Sequence, residues 1–128
     1  MRIVLFPFFV IATLSSCGGG GAESAPIPPD ANVYVIKTRG AVQCTTAPMP
    51  LATLERQLTD AGVQLVNYAG SLPVAPSCGV DGRAYATLCG NPTGEIGIFL
   101  IQQLQLPKAT AAGFVQMSSE PAAKKTDC

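Results

Sequence analysis

The chain contains no histidine and no tryptophan, and only 12% of its 128 residues are charged. The lack of histidine excludes Ser-His-Asp and Cys-His catalytic arrangements and the usual histidine-ligated metal sites. Eight basic residues balance eight acidic ones, so the formal net charge is zero. Because there is neither a basic patch nor an acidic run, we do not expect nucleic acid as a partner.

The first residues have the order of an export signal. Arg2 is the only charged residue before Glu23, and it is followed by an apolar run from Ile3 to Leu14. That run is shorter than the roughly 20 residues that a membrane-spanning helix needs. A positive start, a short apolar stretch and small residues before a cleavage point are typical of a secretory signal peptide.

The end of this signal, Leu14-Ser15-Ser16-Cys17 followed by four glycines, resembles the lipobox of bacterial lipoproteins. The resemblance implies cleavage before Cys17 and attachment of fatty acyl chains (palmitate) to that residue. Two or more acyl chains hold a protein stably at a membrane, whereas one chain does so only marginally. Gly18 stands where enteric bacteria place an Asp to retain lipoproteins in the inner membrane, which favours the outer membrane. The alternatives are an ordinary signal peptide with a chance cysteine nearby, or a buried core helix.

This organisation predicts four parts of the chain. Residues 1–16 are a signal peptide, residues 17–31 a lipidated tether, residues 32–119 a single α/β domain and residues 120–128 a polar C-terminal tail. The tether is rich in Gly and then Pro, which favours a flexible segment that becomes stiffer towards the domain. Its root-mean-square length is on the order of 20 Å.

Four cysteines remain after Cys17, namely Cys44, Cys78, Cys89 and Cys128. An exported chain meets an oxidising compartment, so this even number predicts two disulfides rather than a metal site, and no C-x-x-C pair is present. Three pairings are possible. We favour Cys78 with Cys89 and Cys44 with Cys128, and Cys44 with Cys89 is a close alternative.

The hydrophobic pattern predicts four strands and two helices. The strands are expected at 32–38, 63–68, 96–101 and 114–117, and the helices at 48–61 and 104–112. Segment 72–89 is predicted to be an irregular connection interrupted by Pro and Gly, with a short strand around Tyr85 and Leu88, and 90–94 is predicted to be a turn.

Each predicted helix ends in Ala-Gly followed by an apolar residue, so the chain consists of two similar β-α-β units. Joined together, these units predict an α+β fold, a small ferredoxin-like β-α-β-β-α-β sandwich with disulfides and with both helices on one face.

One segment resembles the core of Kazal-type protease inhibitors. It carries Cys78-Gly-x-Asp81-Gly82-x-x-Tyr85, with Cys89 four residues after the tyrosine. The resemblance implies inhibition of a protease. Kazal domains have six cysteines, do not pair these two with each other, and continue into a helix, whereas here Gly-Asn-Pro follows Cys89.

The remaining residues favour a binding or structural role. Glu55, Asp60, Asp81 and Glu95 are scattered along the chain, so we expect no catalytic residue, metal or cofactor, and no enzymatic activity. A β-α-β-β-α-β domain on an envelope tether is similar to peptidoglycan-binding SPOR domains in topology and location only. We therefore expect a lipoprotein domain, in the periplasm or at the cell surface, with a binding or structural role and an unknown ligand, for which an envelope protein or peptidoglycan are the candidate partners. The alternatives are a Kazal-like inhibitor and a small envelope enzyme.

Overall fold

The computed structural model describes residues 31–67 and 73–128. The signal peptide, Cys17 and almost all of the tether fall outside the described residues, as do Tyr68 at the end of the second predicted strand and Leu72. The predictions that concern those residues stay predictions.

The chain folds as a five-stranded antiparallel sheet with two helices, an α+β architecture. In chain order the elements are β1 Asn32–Thr38, α1 Leu51–Asp60, β2 Ser77–Val80, β3 Glu95–Gln102, α2 Leu106–Ala111, β4 Val115–Gln116 and β5 Lys124–Thr126. Short 3₁₀ turns occupy Gln103–Gln105 and Met117–Ser119. The strand order across the sheet is β4-β1-β3-β2-β5.

The connectivity confirms the predicted ferredoxin-like fold. β1 and β2 both pair antiparallel with β3, so they run parallel to each other on either side of it. β3 and β4 are related in the same way through β1. Each helix therefore connects two parallel strands that have one antiparallel strand between them, and β5 adds a fifth strand beside β2.

One face of the sheet packs against both helices. The buried residues of this core are Val33, Val35, Leu54, Leu58, Val63, Phe99, Ile101, Ala109 and Phe114. The alternation of the two central strands points every second side chain at the helices, and Leu54 and Leu58 lie one turn apart on α1. The Phe99 and Phe114 rings meet edge to face, with centroids 5.7 Å apart.

The opposite face carries a smaller apolar cluster. Ile36, Ile96 and Ile98 are buried there, and Met117 and Ala123 pack against them. The chain after β4 therefore crosses the face of the sheet that the helices leave uncovered.

Both helices end in the same hydrogen-bonded motif, as their shared Ala-Gly-apolar sequence predicts. Gly62 and Gly113 adopt φ of 75° and 85°, a left-handed conformation that suits glycine. After α1, the Val63 N–H donates to the Leu58 carbonyl at 3.0 Å, and after α2 the Phe114 N–H donates to the Ala109 carbonyl at 3.0 Å. These are Schellman motifs, and each one directs its apolar residue into the core.

The predicted second strand over 63–68 is wrong. In the described part of this segment Leu65 makes an isolated bridge to Ile101, and Asn67 makes one to Pro73. The true second strand, Ser77–Val80, lies inside segment 72–89, which we predicted to be irregular. The short strand predicted around Tyr85 and Leu88 is also wrong, because residues 81–90 contain no strand. A four-residue strand that contains a serine, a cysteine, a glycine and a single β-branched residue, Val80, has too weak a pattern to predict a strand.

The prediction of a polar tail over 120–128 is also wrong, because Lys124–Thr126 form the edge strand β5. Val80 pairs with Lys124 and Cys78 pairs with Thr126. All three residues of β5 are exposed, so no hydrophobic pattern marks this strand.

The two disulfides are Cys44–Cys89 and Cys78–Cys128. The favoured pairings, Cys78 with Cys89 and Cys44 with Cys128, are both wrong, and the alternative of Cys44 with Cys89 is correct. Hydrogen bonds between two turns explain the choice, since the Gln43 N–H donates to the Asn91 carbonyl at 2.9 Å and the Gly90 N–H to the Gln43 carbonyl at 3.0 Å. Cys78 instead lies in β2, next to the strand that precedes Cys128.

Candidate binding surface

Two adjoining grooves lie on the sheet face opposite the helices. The first, the Tyr34 groove, has a volume of about 360 Å³ and is lined chiefly by Val33, Tyr34, Gln116, Met117, Glu120 and Pro121. The second, the Arg83 groove, has a volume of about 250 Å³ and is lined chiefly by Ile36, Thr38, Asp81, Arg83, Val115 and Glu120. Glu120 borders both, so the two grooves flank the C-terminal segment.

The Tyr34 groove runs beside an open strand edge. β4 pairs with only two residues of β1, Val35 and Ile36, and the chain then leaves the ladder in the 3₁₀ turn Met117–Ser119, which stays in contact with β1 without pairing with it as a strand. Within the described residues, the outer edge of β1 from Asn32 to Tyr34 therefore has no strand partner. Backbone groups on such an edge can pair with a further strand. The Tyr34 side chain, 47% exposed, stands next to this edge and can contact whatever occupies the groove.

A polar network forms one wall of the Arg83 groove. The Tyr85 hydroxyl donates to Asp81 Oδ2 at 2.6 Å, and the Arg83 backbone N–H donates to Asp81 Oδ1 at 3.0 Å. The hydrogen bond from the Tyr85 hydroxyl to Asp81, together with partial burial and the Asp81 charge, raises the pKa of Tyr85 above its ordinary value. Both Asp81 oxygens thus hold the 81–85 loop in shape.

The same loop is attached to the C-terminal segment. The Arg83 guanidinium lies 3.4 Å from the Glu120 carboxylate, and Gly82, at φ 75°, passes so close to the Ala122 carbonyl that a side chain would not fit there. The ion pair is exposed and contributes little energy by itself. Its geometry nevertheless places Glu120 over the sheet, between the two grooves.

The remaining carboxylates predicted as scattered are not brought together. Glu55 and Asp60 lie on α1. Glu95, at the start of β3, lies 3.7 Å from Arg39 and accepts a hydrogen bond from the Thr93 hydroxyl at 2.9 Å. Across 31–67 and 73–128, no three His, Cys, Asp or Glu side chains cluster closely enough to hold a metal ion.

Lys37 is a central polar residue that the sequence analysis did not single out. Its Nζ donates to Gln57 Oε1 at 2.8 Å and to the Ala112 carbonyl at 2.7 Å, and it lies 4.9 Å from the centre of the Phe114 ring. These contacts connect β1 to both helices, so Lys37 has a structural role.

The segment that resembles Kazal inhibitors departs from that family after Cys89. Cys78 and Cys89 are not bonded to each other, which agrees with the resemblance. The chain that follows Cys89, however, makes a turn and then enters β3, where the inhibitor family has a helix. The Asp81-Gly82 pair serves the contact with Ala122 described above.

Tyr34 and Glu120 are the groove residues that sequence reasoning missed. The alternation of β1 places Val33 and Val35 on the helix face, and it therefore places Tyr34 on the opposite face. That alternation was a usable signal for Tyr34. Glu120 lies in an irregular segment, and no pattern in the sequence predicts its position.

The described residues form a small α+β domain with two disulfides, and among them no strand pairs with the outer edge of β1 from Asn32 to Tyr34. No helix in the described parts of the chain is long and apolar enough to cross a membrane. No family model, no curated protein and no solved structure matches the chain. Its function is therefore inferred from its residues and their geometry.

Proposed function

We propose that the protein is a lipoprotein of the bacterial envelope, anchored in the outer membrane by acyl chains on Cys17, and that its domain binds a partner protein. The lipobox-like sequence at residues 14–17 supports the anchor. The two disulfides of the described domain support an oxidising compartment, because such bonds persist outside the cytosol.

The observation that carries the binding role is the unpaired edge of β1 beside the Tyr34 groove. An extended segment of a partner can add a strand along Asn32–Tyr34 and place alternate side chains in the groove. Tyr34 offers a large rigid contact and Met117 an adaptable one. Strand addition requires a polypeptide, so the free edge favours an envelope protein over peptidoglycan.

The anchor is tested by mass spectrometry of membrane-extracted protein. Cys17→Ala should accumulate as an uncleaved precursor without acyl mass, because the acceptor sulfur is gone. Ser16→Ala is the matched control, since it keeps a small residue before the cleavage point and should be processed normally. A Cys17→Ala protein that is cleaved and acylated like the unmodified chain contradicts the anchor.

The groove is tested in intact cells with a photoactivatable amino acid at one position at a time. Position 34 lies in the groove, and the exposed Arg56 on α1 gives a control position on the helix side of the domain. We expect a discrete protein adduct from position 34 and none from position 56. A muropeptide attached at position 34 would instead indicate peptidoglycan, and identical patterns from both positions would refute the groove as a binding surface.

A further inference from the structure

A second exposed apolar surface lies at the other end of β3 from Glu95. Leu104 is 59% exposed in the 3₁₀ turn between β3 and α2. An open depression of about 560 Å³ surrounds it, and its lining residues are Gln103, Leu104, Leu106, Pro107 and Thr110. We call these residues the Leu104 surface.

The Leu104 surface adjoins the point where the predicted tether reaches the domain. Ala31 is the last residue of that tether, and its carbonyl accepts a hydrogen bond from the Gln103 N–H at 2.7 Å. Asn32, the next residue, pairs with Gln102 at the end of β3. The tether therefore joins the domain within one residue of Leu104.

This end of the domain is free of charged side chains over two long segments. Residues 61–67 and 96–107 contain no Asp, Glu, Lys or Arg. The two segments meet here, since Leu65 bridges Ile101 and the Gln64 N–H donates to Gln105 Oε1 at 2.6 Å. The Arg39–Glu95 pair, by contrast, lies where β3 begins. Because desolvating a charge is costly, the scarcity of charged side chains allows the Leu104 end to approach lipid with little of that cost.

We propose that the domain rests on the bilayer through the Leu104 surface, with Leu104 and Pro107 in contact with the lipid interface. This proposal depends on the proposed lipid anchor, and it holds that the bilayer itself covers the Leu104 surface. A single leucine binds a membrane only weakly. A tether of the length that the sequence predicts, on the order of 20 Å, would keep the surface at a high effective concentration near the bilayer, so a weak contact is sufficient. Lys108, at the border of this surface, can reach lipid phosphates.

The chain has no tryptophan, which provides a direct test. Leu104→Trp introduces a single indole on the proposed contact. Leu88→Trp is the matched control, because Leu88 is 64% exposed and lies in the turn before β3, at the opposite end of that strand. Each full-length lipidated variant, extracted from membranes, is reconstituted into phosphatidylethanolamine and phosphatidylglycerol vesicles that contain brominated lipid.

We expect emission from Leu104→Trp to be blue-shifted and quenched at least about twofold more than emission from Leu88→Trp, because interfacial side chains sit at the level of the upper acyl chains. Variants that float with the vesicles but show equal quenching overturn this proposal and leave the anchor intact. Variants that do not float refute the anchor, and this proposal fails with it.

Discussion

Gly79→Ala tests the position of the edge strand β5, which the sequence pattern did not predict. Gly79 lies in β2, on the sheet face opposite the helices, where β5 passes beside it. A Cβ at this position would lie 2.5 Å from the Lys124 carbonyl oxygen and 2.7 Å from Ile98 Cδ1. The first of these atoms belongs to backbone, so rotation of a side chain cannot relieve the contact. β5 must therefore move away from β2.

The loss of stability that this movement causes is large because a disulfide limits how far β5 can move. Cys78–Cys128 connects β2 to the chain just after β5, so the edge strand cannot simply detach. Overpacking in a well-packed site costs about 1–3 kcal/mol, and we expect the upper half of that range. For a domain of this size, each kcal/mol lowers the melting temperature by about 4–8 °C.

Gly97→Ala is the matched control for this substitution. Gly97 also lies in a strand and does not have positive φ, but its added Cβ would meet the ends of Leu54, Leu51 and Phe99 at 2.8–3.0 Å. Those side chains can adjust, so we expect a smaller loss than for Gly79→Ala.

Thermal unfolding followed by circular dichroism compares the two variants, each alone and combined with Cys128→Ser. Without the disulfide, β5 is free to shift, and the cost of Gly79→Ala should fall by about 1 kcal/mol or more. A loss from Gly79→Ala that is no larger than that from Gly97→Ala, or that is unchanged by Cys128→Ser, would refute the position of β5.

Two further predictions concern the core and the 81–85 loop. Leu58→Ala, at a side chain with 0% exposure, should lower the free energy of unfolding by about 2–5 kcal/mol. Leu88→Ala is the control and should change it by less than about 0.5 kcal/mol. Equal effects of the two substitutions in thermal melts would show that α1 does not pack in the core. Because the hydrogen bond to Asp81 raises the pKa of Tyr85, the hydroxyl should titrate above its ordinary pKa of about 10. The stability that the neutral form of Tyr85 contributes should be present below about pH 10 and should be lost as the pH rises through the folded-state pKa. The phenolate absorbance of the unmodified chain minus that of Tyr85→Phe isolates this titration, which Asp81→Ala should shift back towards the ordinary value; an unchanged titration in Asp81→Ala would contradict the role of Asp81.

The parts of the fold that sequence patterns predicted are those with a strong hydrophobic period. β1 and β3 alternate or run apolar because they lie at the centre of the sheet, and α1 carries a leucine stripe because it covers them. β2 and β5 have no such pattern. Their positions depend on close backbone approach at Gly79 and on a disulfide, and neither of these can be read from local sequence.

The candidate surface was less predictable than the fold, for a related reason. Alternation along β1 places Tyr34 opposite the helix core, but the pattern does not show whether that face is covered. The answer depends on the path of residues 117–123, which cross the face near Ile36 and leave the part near Tyr34 open. This path is set by long-range contacts of Glu120 and Ala122 with the 81–85 loop.

The two edges of the sheet are protected differently, which supports strand addition on one side only. β5 exposes Lys124 and Lys125, and charged residues of this kind discourage pairing with another strand. Cys78–Cys128 spans 50 residues of sequence, and the loop-entropy model gives such a link about 4 kcal/mol, so the edge is fixed despite its small apolar area. On the other side β4 is only two residues long, and in the described part of the chain no strand pairs with the outer edge of Asn32–Tyr34. The edge at Asn32–Tyr34 lacks these protections and lies beside the Tyr34 groove, which is where the proposed partner strand would pair.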